Sequence, residues 1–215
     1  MNLHTILHES VLYLEWIAML FGLIFLKKYW KAPVRLVPLY LICVVTIEYI
    51  AFDLSNDQWL YNLLGILELL IFSYVFYSSV KGIGSKKIIL AACFCGILFL
   101  LVDIFFITKT FFTFLSYAFG IISLALSLMC FVYLFEMTRS EKVLHQNRVL
   151  LYWIVIGLLT FHLCNLPVTV LTNQLLEIGN VQNILEIQNV AGIAMYICFI
   201  IGFIWTQERY NTQYL

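Results

Sequence analysis

Seven long apolar stretches, separated by short polar breaks, organise this chain. Their approximate limits are residues 7–26, 33–53, 58–80, 87–107, 110–136, 149–172 and 182–206. Each is about 20 residues or longer, the length at which a helix crosses the hydrocarbon core of a bilayer. The pattern predicts an all-α fold, a polytopic membrane protein with residues 1–215 forming a single domain of seven transmembrane helices. The polar breaks leave no room for a soluble domain before, between or after the spans.

Composition agrees with the pattern. The chain is 63% hydrophobic and 11% charged, against roughly 45–50% and about 25% in soluble domains. Charge placement adds an orientation. Lys27, Lys28, Lys31 and Arg35 fall between the first and second runs, and Lys81, Lys86 and Lys87 follow the third. Arg139, Lys142 and Arg148 follow the fifth, and Arg209 the seventh. Only Lys109 lies on the opposite side. The positive-inside rule therefore predicts an external N-terminus and a cytoplasmic C-terminus in a cell inner (cytoplasmic) membrane. Trp30, Trp153 and Trp205 sit near the inner boundary and Trp59 near the outer one, as interfacial aromatics do. The N-terminal run lacks a basic leader and a small-residue cleavage site, and is expected to stay as a helix.

All six cysteines lie within spans, so no disulfide framework is expected. The zero net charge and the lack of a basic aromatic patch give no reason to expect nucleic acid as a partner. The outer connections (Ser55–Gln58, Thr108–Lys109 and Asn173–Asn180) are small, and the longest connection, Thr138–Arg148, is on the basic side. Recognition from outside would have to occur at helix ends or within the bundle.

The bundle itself carries the candidate chemistry. Glu15 is twelve residues from Lys27, Glu48 thirteen from Arg35, Glu68 thirteen from Lys81 and His162 fourteen from Arg148. At about 1.5 Å per helical residue, all four lie roughly 18–21 Å above the basic boundary. Asp103 falls slightly higher, with Asn165, Glu186 and Asn189 above it. Ionisable groups at membrane depth are costly and usually face a partner or a cavity. These eight residues are the expected ligand or proton site, set in an outward-facing polar cavity. In the stretch FHLCNLPVTV, His162 and Asn165 are three apart and share a helix face. Pro167 removes the amide that would bond the Leu163 carbonyl.

Ser116, Gly120, Ser123 and Ser127 form a small-residue stripe at spacings of four, three and four, suited to close helix packing or to a seam between two copies. Pro167 belongs with these structural positions. No metal site or cofactor is expected: His4 with His8 and Glu141 with His145 have helical spacing, but lie in a terminus and a loop. Phosphate-loop, H-E-x-x-H and G-x-S-x-G motifs are absent. Phe161, Cys164 and Pro167 match part of a helix-6 motif of rhodopsin-like receptors, a likeness of seven residues that nothing else in the chain supports. The seventh run holds no lysine for retinal, and only His162 lies deep within a span, which excludes microbial rhodopsins and ceramidase-type hydrolases.

Tyr61, Glu68, Phe76, Tyr77, Lys86 and Lys87, with Tyr152, Trp153, Gly157 and Leu158, carry a broader likeness. In these residues the chain resembles small seven-helix membrane proteins of Bacteroidota, similar to the membrane input bundles of some sensor histidine kinases. The resemblance implies a sensory or signal-coupling role. No output domain follows the seventh run, so signalling would pass to a separate membrane or cytoplasmic partner. The expected function is a receptor-like or partner-coupling module with a cavity for a small ligand or proton. The alternatives are a secondary transporter or channel using the carboxylate layer and, last, an intramembrane enzyme. The expected partners are the lipid bilayer, that signalling partner and a further copy of the chain.

Overall fold

The computed structural model describes residues 3–54, 57–139, 147–178 and 182–208, which form helices and no strand. The helices are α1 (Leu3–Ile24), α2 (Leu36–Asp53), α3 (Gln58–Ser79), α4 (Ile83–Val102), α5 (Ser116–Thr138), α6 (Leu150–Ile178) and α7 (Gln182–Trp205). All seven contain a segment long and apolar enough to cross a membrane, which fits a multi-pass membrane protein.

Local chemistry moves several boundaries from those predicted. Between α1 and α2 the chain makes two tight turns, Leu26–Tyr29 and Pro33–Arg35, so α2 starts three residues later than hydropathy suggests. Pro33 opens the second turn, where a fixed φ and a missing amide do no harm. α4 starts four residues early and includes Lys86 and Lys87. Its N-cap is Gly82, whose side chain offers no cap; Glu136 from the end of α5 supplies one instead. That carboxylate accepts the amides of Lys81 and Gly82 at 2.9 and 2.8 Å. α4 continues into a wider π turn, Asp103–Ile107, closed by the Thr108 amide on the Asp103 carbonyl at 2.8 Å. Residues 110–115, predicted as the start of the fifth helix, are irregular, and α5 begins at Ser116.

Neighbours in sequence are neighbours in space. Each helix packs on the next, α7 returns to α1, and α3 also packs on α5. α5 is the most enclosed helix, while α1 and α4 turn Trp16, Leu20, Phe94 and Leu98 outward, as a lipid-facing surface would. The core is strongly aromatic. Tyr40 meets Phe72 edge-on at 5.5 Å, Phe72 meets Phe76 at 6.3 Å, and Phe76 meets Tyr133 at 6.1 Å. Phe199 and Phe203 of α7 are fully buried beside them. α6 and α7 approach closely at Gly157, where an added Cβ would lie 3.0 Å from the Met195 carbonyl oxygen. The small-residue stripe of α5 faces inward: Ser116, Gly120, Ser123 and Ser127 are all buried. The chain's own helices cover it, so it presents no open seam to a second copy.

The basic end is laced together. Lys28 donates to the Ile204 carbonyl at 3.0 Å, and partial burial holds its ammonium below the usual lysine range. The Tyr29 hydroxyl donates to the Gly22 carbonyl, and Trp153 donates to the Asn147 carbonyl at 2.9 Å. The α1–α2 turn and the start of α6 are thus tied to neighbouring backbone.

Candidate functional site

A cavity of about 420 Å³ lies in the half of the bundle that carries the N-terminus. It is walled by α1, α2, α3, α5, α6 and α7, and α4 contributes nothing to it. Helical periodicity explains which side chains reach it. On α3, Tyr61, Leu64, Gly65 and Glu68 are spaced three, one and three apart and form one stripe; on α2, Tyr40, Val44 and Glu48 do the same.

Of the four residues expected in one layer, all four line this cavity: Glu15, Glu48, Glu68 and His162. Asn165 and Asn189 line it as well. Tyrosines hold the carboxyls. Tyr196 donates to Glu15 Oε1 at 3.0 Å, linking α7 to α1, and Tyr61 donates to Glu48 Oε2 at 3.1 Å, linking α3 to α2. The Tyr40 hydroxyl meets Glu68. On the other side of Glu68, His162 Nε2 approaches Oε1 at 3.4 Å, ion-pair range without hydrogen-bond geometry. His162 Nδ1 pairs with Ser123 Oγ at 3.2 Å. The histidine therefore bridges α3 and α5 from α6.

Two predicted site residues lie elsewhere. Asp103 is fully buried but outside the cavity. Its Oδ1 accepts from the Thr108 hydroxyl at 2.6 Å and its Oδ2 from the Ala118 amide at 2.9 Å. It caps the N-terminus of α5, whose own N-cap position is Leu115 and has no side-chain acceptor. An anionic acceptor belongs at that positive helix end. Counting residues put Asp103 just above the layer of the other carboxyls and carried no information on its direction. Glu186 is half-buried and also misses the cavity. The lining face of α7 runs through Gln188, Asn189, Gly192, Met195 and Tyr196, and at about 100° per residue Glu186 points roughly 120° away from it. Of the histidine and acidic pairs weighed for metal, the His4 side chain, Glu141 and His145 lie outside the described residues. Among the described residues no group of three metal-binding side chains comes together.

Asn62 was missed by the sequence reading. Fully buried, it donates to the carbonyls of Phe111 and Thr113, both at 2.8 Å, and accepts the Leu115 amide at 3.2 Å. Gln58, one turn earlier, accepts the Phe114 amide at 3.0 Å. Together they pin residues 111–115 against the end of the bundle. This sets Phe114 in the cavity wall, 4.8 Å from the ring of Phe119. The signal was present in the sequence, since Gln58, Asn62 and Gly65 fall on one face with Glu68. Tyr40 of the cavity wall packs on the fully buried Phe72, which in turn packs on the fully buried Phe76.

The balance of hydrogen-bonding groups is uneven. Among the described residues, Asn165 Oδ1 has no partner although the residue is only 3% exposed. One oxygen each of Glu15 and Glu48 likewise accepts no hydrogen bond from the described residues. No lysine or arginine lines the cavity. A second hollow, of about 470 Å³ at the basic end, is different: it surrounds Glu136, whose oxygens are already taken by backbone amides. Comparisons with protein-family models, with curated proteins and with solved structures find no match, so the site stands on its own geometry.

Proposed function

We propose that this chain is a receptor-like, partner-coupling membrane module that binds a small ligand in the cavity between its six lining helices. The observation that carries this reading is the convergence of three carboxyls and His162 on one enclosed space, with acceptors left open beside them. Buried polar atoms without partners are uncommon, and water or a ligand usually completes them. The basic-residue asymmetry orients this end outward, and the chain would reside in the cytoplasmic membrane.

The same contacts give a route from ligand to helix movement. Glu15 joins α1 to α7, Glu48 joins α2 to α3, and the Glu68–His162–Ser123 chain joins α3, α6 and α5. A ligand that donates hydrogen bonds to these carboxyls competes with the groups that make those links. α6 yields most readily, because Pro167 leaves it one backbone hydrogen bond short. The displacement would be read at the basic end by a separate membrane or cytoplasmic partner, or by a second copy docked on an outer face.

A transporter or channel is the second reading, favoured by the carboxyl layer at mid-span depth. It requires a path past Phe72, Phe76 and Tyr133, whose tilted rings pack 6.3 and 6.1 Å apart. The Ser123–His162–Glu68 chain has the order of a nucleophile, base and orienting acid. Ser123 lies inside α5, however, where helix bonds occupy the backbone amides an oxyanion would need. Accessibility tests the proposal. With the six native cysteines replaced by serine, Asn165→Cys should react in intact cells with a membrane-impermeant methanethiosulfonate added outside. Labelling only from the cytoplasmic side, or none at all, would overturn the outward-facing cavity.

A further inference from the structure

We infer that the ligand of this cavity is a small organic ammonium ion carrying an apolar group. The inference rests on the cavity reading above and names its substrate class.

The chemistry of the wall is one-sided. Its tyrosine donors are already committed: the hydroxyls of Tyr196 and Tyr61 to Glu15 and Glu48, and that of Tyr40 to Glu68, while His162 Nε2 faces Glu68 Oε1 at 3.4 Å. What remains open is a set of acceptors, one oxygen each on Glu15 and Glu48 and the buried Asn165 Oδ1. Three acceptors match the three donors of a primary ammonium group. Carboxylates bind such a cation by charge-assisted hydrogen bonds, roughly twice as strong as neutral ones. An anionic ligand would face three carboxyls and, among the described residues, only the imidazoles of His8 and His162 to offset them.

The rest of the cavity suits an apolar substituent. Phe114, Phe119 and Phe161 line it, alongside the rings of Tyr40, Tyr61 and Tyr196. Aromatic faces attract cations, most strongly where water is excluded. A volume of about 420 Å³ lies toward the small end of the roughly 300–1,000 Å³ typical of ligand pockets. It admits a single small amine rather than a peptide.

Three probes on one scaffold separate charge from shape: 2-phenylethylammonium, 2-phenylethanol and phenylacetate. Their binding to the purified full-length chain is measured in detergent micelles by calorimetry and by thermal stabilisation. The cation should bind, and the alcohol and the anion should bind at least about tenfold more weakly. Glu15→Gln and Glu48→Gln, each checked for native elution and helix content, should each weaken the cation by about tenfold and leave the alcohol unchanged. Using both variants keeps the test alive if one fails to fold. Gly192→Leu, projecting from α7 into the cavity, should abolish binding of the cation.

Equal binding of the three probes, binding of the cation unchanged in both Gln variants, or no binding of the cation would each overturn the inference. If the alcohol or the anion binds as well as the cation and Gly192→Leu removes it, the cation class fails while the cavity reading survives. If Asn165→Cys also proves unreachable from outside, both fail.

Discussion

Asn62 offers the sharpest test of how the roof of the cavity is held. Replacing it with alanine removes two hydrogen bonds donated to the Phe111 and Thr113 carbonyls and one accepted from the Leu115 amide. At a net of about 0.5–1.5 kcal/mol each, the three contribute roughly 1.5–4.5 kcal/mol. Exposure narrows that range. Thr113 is exposed, so water can reach its carbonyl in the variant, whereas the buried Leu115 amide has no such replacement. The expected loss is therefore about 2–3 kcal/mol. Asn62→Asp is the discriminating companion: it keeps an acceptor for Leu115 but loses both donors and points a carboxylate at two carbonyl oxygens. It should be at least as damaging as the alanine. Unfolding in mixed micelles, followed by helix signal against SDS fraction, gives the energies. Hydrogen exchange of residues 110–119 locates the loss. An alanine variant within about 0.5 kcal/mol of wild type, or unchanged exchange at residues 111–116, would refute the clamp.

Asp103→Ala should cost about 1–3 kcal/mol by uncapping α5, while leaving probe binding in the cavity unchanged; altered probe affinity with unaltered stability would return Asp103 to the site. Glu136→Gln should cost about 0.5–2 kcal/mol in the same unfolding assay, since a carboxylate at the start of α4 acts as its cap. Reporter fusions should place the α3–α4 turn near Lys86 in the cytoplasm and the N-terminus outside; an external reporter at Lys86 would reverse the orientation and the proposed access route with it.

The helices were legible because long apolar runs mark their number and approximate extent, and counting along them ranked the heights of the polar residues. Direction was not legible to the same degree. Glu15, Glu48, Glu68 and His162, counted into one layer, share a cavity, whereas Asp103, counted only slightly higher, turns to the amide of Ala118. The difference lies in the π turn at 103–107 and the late start of α5, both set by backbone hydrogen bonding that hydropathy does not encode. Residues 110–115 read as helix because they are apolar, yet their carbonyls and amides are satisfied by Asn62 and Gln58 from another helix. The tyrosines of the site were hidden among thirteen in the sequence. They become visible only as positions seven or eight residues from a carboxylate or asparagine on the same face: Tyr40 from Glu48, Tyr61 from Glu68, and Tyr196 from Asn189.

Polar groups inside this bundle fall into two kinds, and the division bears on function. Asp103, Asn62 and Glu136 bond chiefly to backbone groups left open by a turn or a helix end. Each completes a defect in the fold, and its cost is offset on the spot. Glu15, Glu48, Glu68 and His162 complete no such defect. Their partners are other side chains, Tyr196, Tyr61, Tyr40 and Ser123, across six helices. A bundle of apolar helices would close without them, because packing in a membrane is driven by close contact of small residues such as those at Gly157. Side-chain pairs of this kind can be exchanged for bonds to a guest at little net cost, while backbone caps cannot. The first kind therefore holds the walls, and the second is where a ligand can enter into competition with the protein itself.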